Sequence, residues 1–170
     1  MVFHLLKPPA AREGQPGMLT VEREEPDQPE VQDLLGQADA RSASLYPAES
    51  RFGPTLADLL AQDVRFFVAR RAGQAVGCGG YVFAPGRWAE LKRVFVVPAA
   101  RGAGVGQRIV SAIERGAKGE GVPGLLLETG IRSVEAIGLY RRLGYAERGP
   151  FGAYGPDLLS VFMERPLAGL

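Results

Sequence analysis

With 170 residues the chain has room for one domain of ordinary size and a substantial core. Apolar residues make up 46% and charged residues 23%, which excludes disorder as the default state. A net charge of +1 excludes nucleic-acid binding through bulk charge, a single cysteine excludes an internal disulfide, and a single histidine excludes a histidine-built triad or metal centre. The cysteine, Cys78, has no histidine partner for nucleophilic work and reads as a core thiol. No stretch approaches ~20 apolar residues, so neither a membrane span nor a secretory leader is expected, and the chain reads as cytoplasmic.

Val2 to Leu6 has the makings of a short strand, but Pro8-Pro9 stops it, and residues 1–16 have no firm assignment. Met18 to Glu24 alternates apolar and polar residues as a half-buried strand does. Asp27, with Glu30 three positions later, predicts a capping box opening a helix with Val31, Leu34, Leu35 and Ala38 on one face. Thr55 predicts the cap of a second, short helix bearing Leu56, Leu59 and Leu60. Val64–Arg70 and Ala75–Ala84 read as a hairpin around residues 71–74, and Trp88–Val97 as a third strand after the Pro85-Gly86 turn. A long helix is predicted from the glycine turn to about Ala117, followed by a strand at Leu125–Thr129. Ser133 predicts a cap for a helix through Leu143 with Gly144 as its stop, and strands follow at Tyr145–Glu147 and Leu159–Glu164. The order β-α-α-β-β-β-α-β-α-β-β is that of one α/β domain spanning residues 1–170.

The most informative segment is Arg101-Gly102-Ala103-Gly104-Val105-Gly106, which lies between a predicted buried strand and a predicted helix. A strand that ends in glycines and opens into a helix presents backbone N–H groups and the positive end of a helix dipole, a site suited to phosphate. The preceding strand arrives from a hairpin, which argues against a Rossmann site, and no Gly-Lys-Ser/Thr closes the turn as in a Walker loop.

Residues 94–106, a strand ending in Val-Val-Pro followed by Arg-Gly-Ala-Gly-Val-Gly, resemble the acetyl-CoA motif of the GNAT superfamily of N-acetyltransferases. Ala136-Ile137-Gly138-Leu139-Tyr140 and Leu143-Gly144-Tyr145 resemble the family's later helix, and the two motifs stand in the family's order. The resemblance covers Val64 to Glu164 well and residues 18–60 more loosely. It implies a mostly antiparallel central sheet flanked by helices, in which one parallel pair, Trp88–Val97 and Leu125–Thr129, splays apart to admit acetyl-CoA. It further implies that Val94, Phe95 and Val96 pair with the pantetheine arm. Arg101, Gly102, Ala103, Gly104, Val105 and Gly106 would then hold the pyrophosphate, with Gln107 adding a contact. No metal is implied.

The resemblance makes Tyr140 the donor to the departing sulfur, in contact with the cofactor, and makes Glu90 the candidate general base, with Glu128 as competitor. Strand alternation puts Glu90 on one face with Lys92, and a plain ion pair with Lys92 or Arg93 is the other reading of that carboxylate. Ser133 stands where many members carry an asparagine, so its contact with the cofactor competes with a capping role. Tyr46, Glu49, Arg93 and Tyr154 are candidate substrate contacts, Glu49 for an amine and Arg93 for a carboxylate, hence an amino-acid-like acceptor. The implied activity is acetyl transfer to the amine of a small molecule. A non-catalytic acyl-CoA-binding module and a protein or peptide N-acetyltransferase stand as alternatives. A homodimer through Leu158–Met163 is a further expectation.

Overall fold

The computed structural model describes residues 17–169. The short strand expected at residues 2–6 lies outside them. Seven strands form one mixed sheet: β1 (Leu19–Arg23), β2 (Arg65–Arg71), β3 (Gln74–Phe83), β4 (Ala89–Val96), β5 (Gly124–Gly130), β6 (Ala146–Arg148) and β7 (Ser160–Pro166), in the spatial order β1-β2-β3-β4-β5-β7-β6. Four α-helices cover it: α1 (Pro29–Leu45), α2 (Leu56–Ala61), α3 (Val105–Gly119) and α4 (Val134–Arg142). The element order is the one the sequence predicts.

Period-two alternation along β2 divides the core between the faces. Phe66 and Val68 point to one side, where they meet Val31, Leu34 and Leu35 of α1 and Leu59 of α2. Phe67 and Ala69 point to the other, where α3 lays down Val105, Ile109, Ile113 and Ala117. Covered on both faces, β3 is buried almost end to end from Gly77 to Val82. Ala72 and Gly73 both have positive φ, the mirror-image turn that matches the twist of the β2–β3 hairpin.

Of the first two predicted caps, one is corrected and one is formed. Helix α1 starts one residue later than expected, with Gln28 at its N-cap and no side chain capping it. Glu30 is drawn away instead, accepting from Arg70 Nη1 at 3.0 Å and from the Ala75 N–H at 3.3 Å. Thr55 does cap α2, in a capping box with Asp58. The strand expected to pair across a dimer, β7, is an interior strand of this sheet. It pairs with β5 along its whole length and with β6 at Phe162–Glu164, which leaves three-residue β6 and β1 as the sheet's edges.

Among the described residues the only parallel pair is β4–β5, and it is registered at just two positions, Ala89↔Leu125 and Glu90↔Leu126. Beyond them the strands part. The cause lies on the other side of β4, where Cys78 pairs with Phe95 but Gly80 pairs with Lys92, so β4 carries one extra residue against β3. This is a β-bulge, which bends its strand. Arg93 takes the strained conformation in it, with φ of 58°, and Gly79 stands opposite, where a Cβ would lie 3.0 Å from Val94 Cγ2. The bulge is held by the Arg93 side chain, which donates from Nη1 to Asp39 Oδ1 at 2.6 Å and from Nη2 to the Leu35 carbonyl at 2.9 Å. Arg93 is therefore tied to α1, and its guanidinium is not presented to a ligand carboxylate. Replacing Asp39 by alanine strips one partner from a buried guanidinium. A loss of about 1–3 kcal/mol is expected, read as a lower urea midpoint at unchanged slope.

Candidate active site

The parted strands open a cavity of about 690 Å³. One wall is β4 from Leu91 to Val96, the other is β5 from Leu127 to Gly130, and α4 contributes Ser133 to Ala136 and Gly138 to Tyr140. Because β5 has left β4 by this point, the β4 backbone groups that would have completed the parallel ladder face the opening. At the mouth lie Arg101, Gly102 and Gly104 to Gln107. Of the residues expected to hold a cofactor, all line this cavity except Ala103.

The mouth is built for an anion. Helix α3 begins at Gly104, which has φ of 76°, and no side chain caps the helix. Its first N–H groups have no intrahelical partner and stand at the positive end of the helix dipole. A Cβ at Gly102 or at Gly104 would meet nothing within 4 Å, so both glycines border open space. Gly106 differs, since a Cβ there would come within 3.1 Å of Leu139 Cδ2 on α4, and that side chain would have to shift. The Arg101 side chain folds back to donate from Nε to the Val96 carbonyl at 3.0 Å, with its guanidinium over the Phe95 ring. Arg101 is nonetheless exposed, so its side chain borders the mouth together with the backbone of the turn.

Tyr140 is buried and lines the cavity, its ring packed edge-on against Tyr145. Burial, together with the nearby charge of Glu128, pushes its phenol up and keeps it protonated at neutral pH. Glu128 lines the same cavity and accepts a hydrogen bond from Ser160 Oγ at 2.7 Å. Burial raises its carboxyl above the usual range, opposed by the Ser160 bond and by the charge of Lys92. A protonated donor and a carboxylate of raised pKa thus share one opening.

Glu90 sits elsewhere. It is buried, and its Oε1 accepts from Lys92 Nζ at 2.7 Å and from the Tyr154 hydroxyl at 2.6 Å. The ion pair with Lys92 that the alternation allowed is formed. Glu90 and Tyr154 border a second cavity, which meets the first at Lys92 and Phe52. Tyr46 and Ser133 line the first cavity but serve its frame. The Tyr46 hydroxyl accepts the Arg132 N–H at 2.9 Å and shares a hydrogen bond with Ser133 Oγ at 3.1 Å, so Ser133 occupies the cap position of α4 without capping it. Gly130 packs directly against the Tyr46 ring. Glu49 is exposed and borders neither cavity. Cys78 is fully buried, its thiol pushed up to about 12 by burial, as a core residue requires.

Sequence reasoning missed Lys92 as the junction of the two cavities and Ser160 as the partner of Glu128. The first was foreshadowed by the shared face of positions 90 and 92. The second depends on the β5–β7 register, which joins residues some thirty positions apart. Among the described residues no helix is long and apolar enough to cross a membrane.

A parallel pair that splits over an uncapped, glycine-lined helix start defines a site for a long, phosphate-bearing chain held between strands. Comparison with known proteins gives the class a family. The model of the acetyltransferase (GNAT) family matches residues 23–145, and the chain belongs to that family. It is 48% identical over 150 residues to a protein of Azospirillum brasilense named IAA acetyltransferase, covering 88% of this chain and 98% of that one. It is also similar to a candidate acyl-CoA N-acyltransferase of Klebsiella pneumoniae, with TM-score 0.76, 36% identity and coverage of 88% and 98%. A Salmonella typhimurium structure solved with acetyl-CoA shares the fold, with TM-score 0.69, 20% identity and coverage of 89% and 95%.

The chain is therefore an acetyl-CoA-dependent acetyltransferase, and the cradle fits that molecule. Open glycines and uncapped N–H groups suit its pyrophosphate, and the unpaired side of β4 suits its amide-bearing arm. Replacing Gly104 by alanine places a Cβ at a left-handed φ, a strain of about 1–2 kcal/mol. Relief of that strain re-aims the first N–H groups of α3. Calorimetry is expected to show acetyl-CoA binding weakened by about tenfold or more, equivalent to about 1.4 kcal/mol.

Proposed function

We propose that the chain moves the acetyl group of acetyl-CoA directly to the amine of a small molecule, with Glu128 receiving the amine proton and Tyr140 donating to the departing sulfur. The observation that carries this reading is that the Glu128 carboxyl and the Tyr140 phenol line one cavity. The thioester supplies an activated acyl carbon. An amine adds to that carbon, the C–N bond forms as the C–S bond breaks, and no covalent enzyme intermediate is needed. Tyr140 gives the leaving thiolate a hydrogen bond and then a proton, which a phenol kept neutral by burial can do. Backbone N–H groups of β4 near Val96 face the carbonyl oxygen, where charge develops.

Glu128 suits proton removal better than Glu90 does. Glu90 is already compensated by Lys92 and Tyr154, so taking up a proton would break a buried ion pair. Glu128 carries no such pair, and its raised pKa brings it nearer the pH at which a base is most effective. A small-molecule acceptor is supported by the relative named IAA acetyltransferase, whose length the match nearly fills.

A screen of amines with thiol detection tests the reading. Release of CoA dependent on one class of small amine is expected; acetyl-CoA binding without turnover across the panel would instead indicate a non-catalytic acyl-CoA-binding module. Tyr140→Phe is expected to lower kcat about 10²-fold with acetyl-CoA affinity unchanged. Glu128 is active only as the carboxylate, so kcat/KM should rise with pH through an ionisation above the usual carboxylate range. Glu128→Gln should abolish that acidic limb. A limb that survives the substitution would assign the base to another group.

A further inference from the structure

We infer that the second cavity receives the acceptor, and that the acceptor is a primary amine on a flat aromatic body rather than an amino acid or a polyamine. This rests on the transfer reading above and names its substrate class. The cavity has a volume of about 770 Å³, ample for a molecule of that kind, and lies against β4 beside the first cavity. The two cavities share Lys92 and Phe52 in their walls. A molecule held in the second cavity therefore has a short path to the parted strands.

The walls set the chemistry. Phe52, Phe83, Trp88, Phe151 and Tyr154 surround the space, with Val82 and Leu126 beneath. Phe151 and Tyr154 are themselves fixed edge-on against each other and against Phe162, which makes that wall rigid. Edge and face contacts between rings favour a flat aromatic guest over an aliphatic one of equal area.

The charges set the functional group. Lys92 is paired with Glu90, and Arg148 is paired with Glu164 at 2.7 Å while lying over the Phe151 ring. Each cation already holds a carboxylate of the protein. Glu90 accepts both of its hydrogen bonds at Oε1, so among the described residues Oε2 has no hydrogen-bond partner and can accept from an N–H of the amine. A zwitterion would bury its carboxylate beside Glu90 against aromatic walls, a desolvation without compensation. An extended polyamine would leave its second ammonium among rings with no second carboxylate. The amino-acid-like acceptor suggested by Glu49 and Arg93 loses both of its supports, since Glu49 is exposed outside the cavity and Arg93 is bound to Asp39.

Trp88 is the only tryptophan in the chain, so its emission reports on this cavity alone. Titration of the full chain with 2-phenylethylamine is expected to change that emission saturably, while phenylalanine and putrescine give no saturable change below about tenfold higher concentration. In turnover, 2-phenylethylamine should have the lowest KM of the three. Phe83→Ala, at a half-exposed wall position that tolerates truncation, should raise its KM at unchanged acetyl-CoA affinity. Phe151→Ala should raise the KM further. Saturable emission without turnover of any amine would uphold the cavity assignment and overturn the transfer reading. Turnover of other amines with Trp88 silent to 2-phenylethylamine, or a KM indifferent to both substitutions, would overturn the cavity assignment and leave transfer intact.

Discussion

One contact underlies the geometry of this protein: the hold of α1 on the bulge in β4. A β-bulge with a non-glycine residue at positive φ is a strained feature that persists only where its surroundings over-determine it. Here Asp39 and the Leu35 carbonyl grip the Arg93 guanidinium from above, and Gly79 removes the side chain that would collide with Val94 from below. The bulge at Arg93 comes three residues after the pairing with β5 ends at Glu90. Had β4 stayed straight, its ladder would have closed and the backbone groups proposed to receive the cofactor arm would have been consumed by β5.

The first cavity follows from that bend, and the second adjoins it. The first fills the gap, with the α3 terminus at its mouth and Glu128 and Tyr140 facing inward. The second lies beside it on β4, closed by the loop of Phe52 and by residues 151–155. Lys92 stands between them, neutralised by Glu90 and in reach of the Tyr154 hydroxyl at 2.9 Å. This buried trio separates an anion-receiving mouth from an aromatic chamber without leaving a bare charge in either, as a buried ion pair must.

The frame shows why polar residues picked by type alone are easily misassigned. Tyr46, Ser133 and Arg93 all border the first cavity, yet the two hydroxyls and both terminal nitrogens of the guanidinium are engaged by the protein. Tyr46 and Ser133 tie the end of α1 to the turn between β5 and α4, and Arg93 ties β4 to the middle of α1. They position the walls. Glu30 shows the same competition on a smaller scale: local spacing predicts a capping box, but an arginine forty residues away binds the carboxylate more strongly than one backbone N–H does.

Hydrophobic periodicity and turn chemistry determined the elements and their order from the sequence alone, because both are local properties that need no partner to be read. Residues 94–106 and 136–145 likewise carried the family and its cofactor, since a glycine-lined turn between strand and helix owes its anion affinity to its own backbone. Tertiary structure alone decided which side chains are available. The bulge at Arg93, the pairing of Glu90 with Lys92, the support of Glu128 by Ser160 and the interior place of β7 all arise from registers between distant segments. In the glycine turn the division is plain. The sequence marked Arg101–Gly106 as a phosphate site, and packing decided that the Arg101 side chain leans back along β4, because a carbonyl and an aromatic ring lie within the arginine's reach.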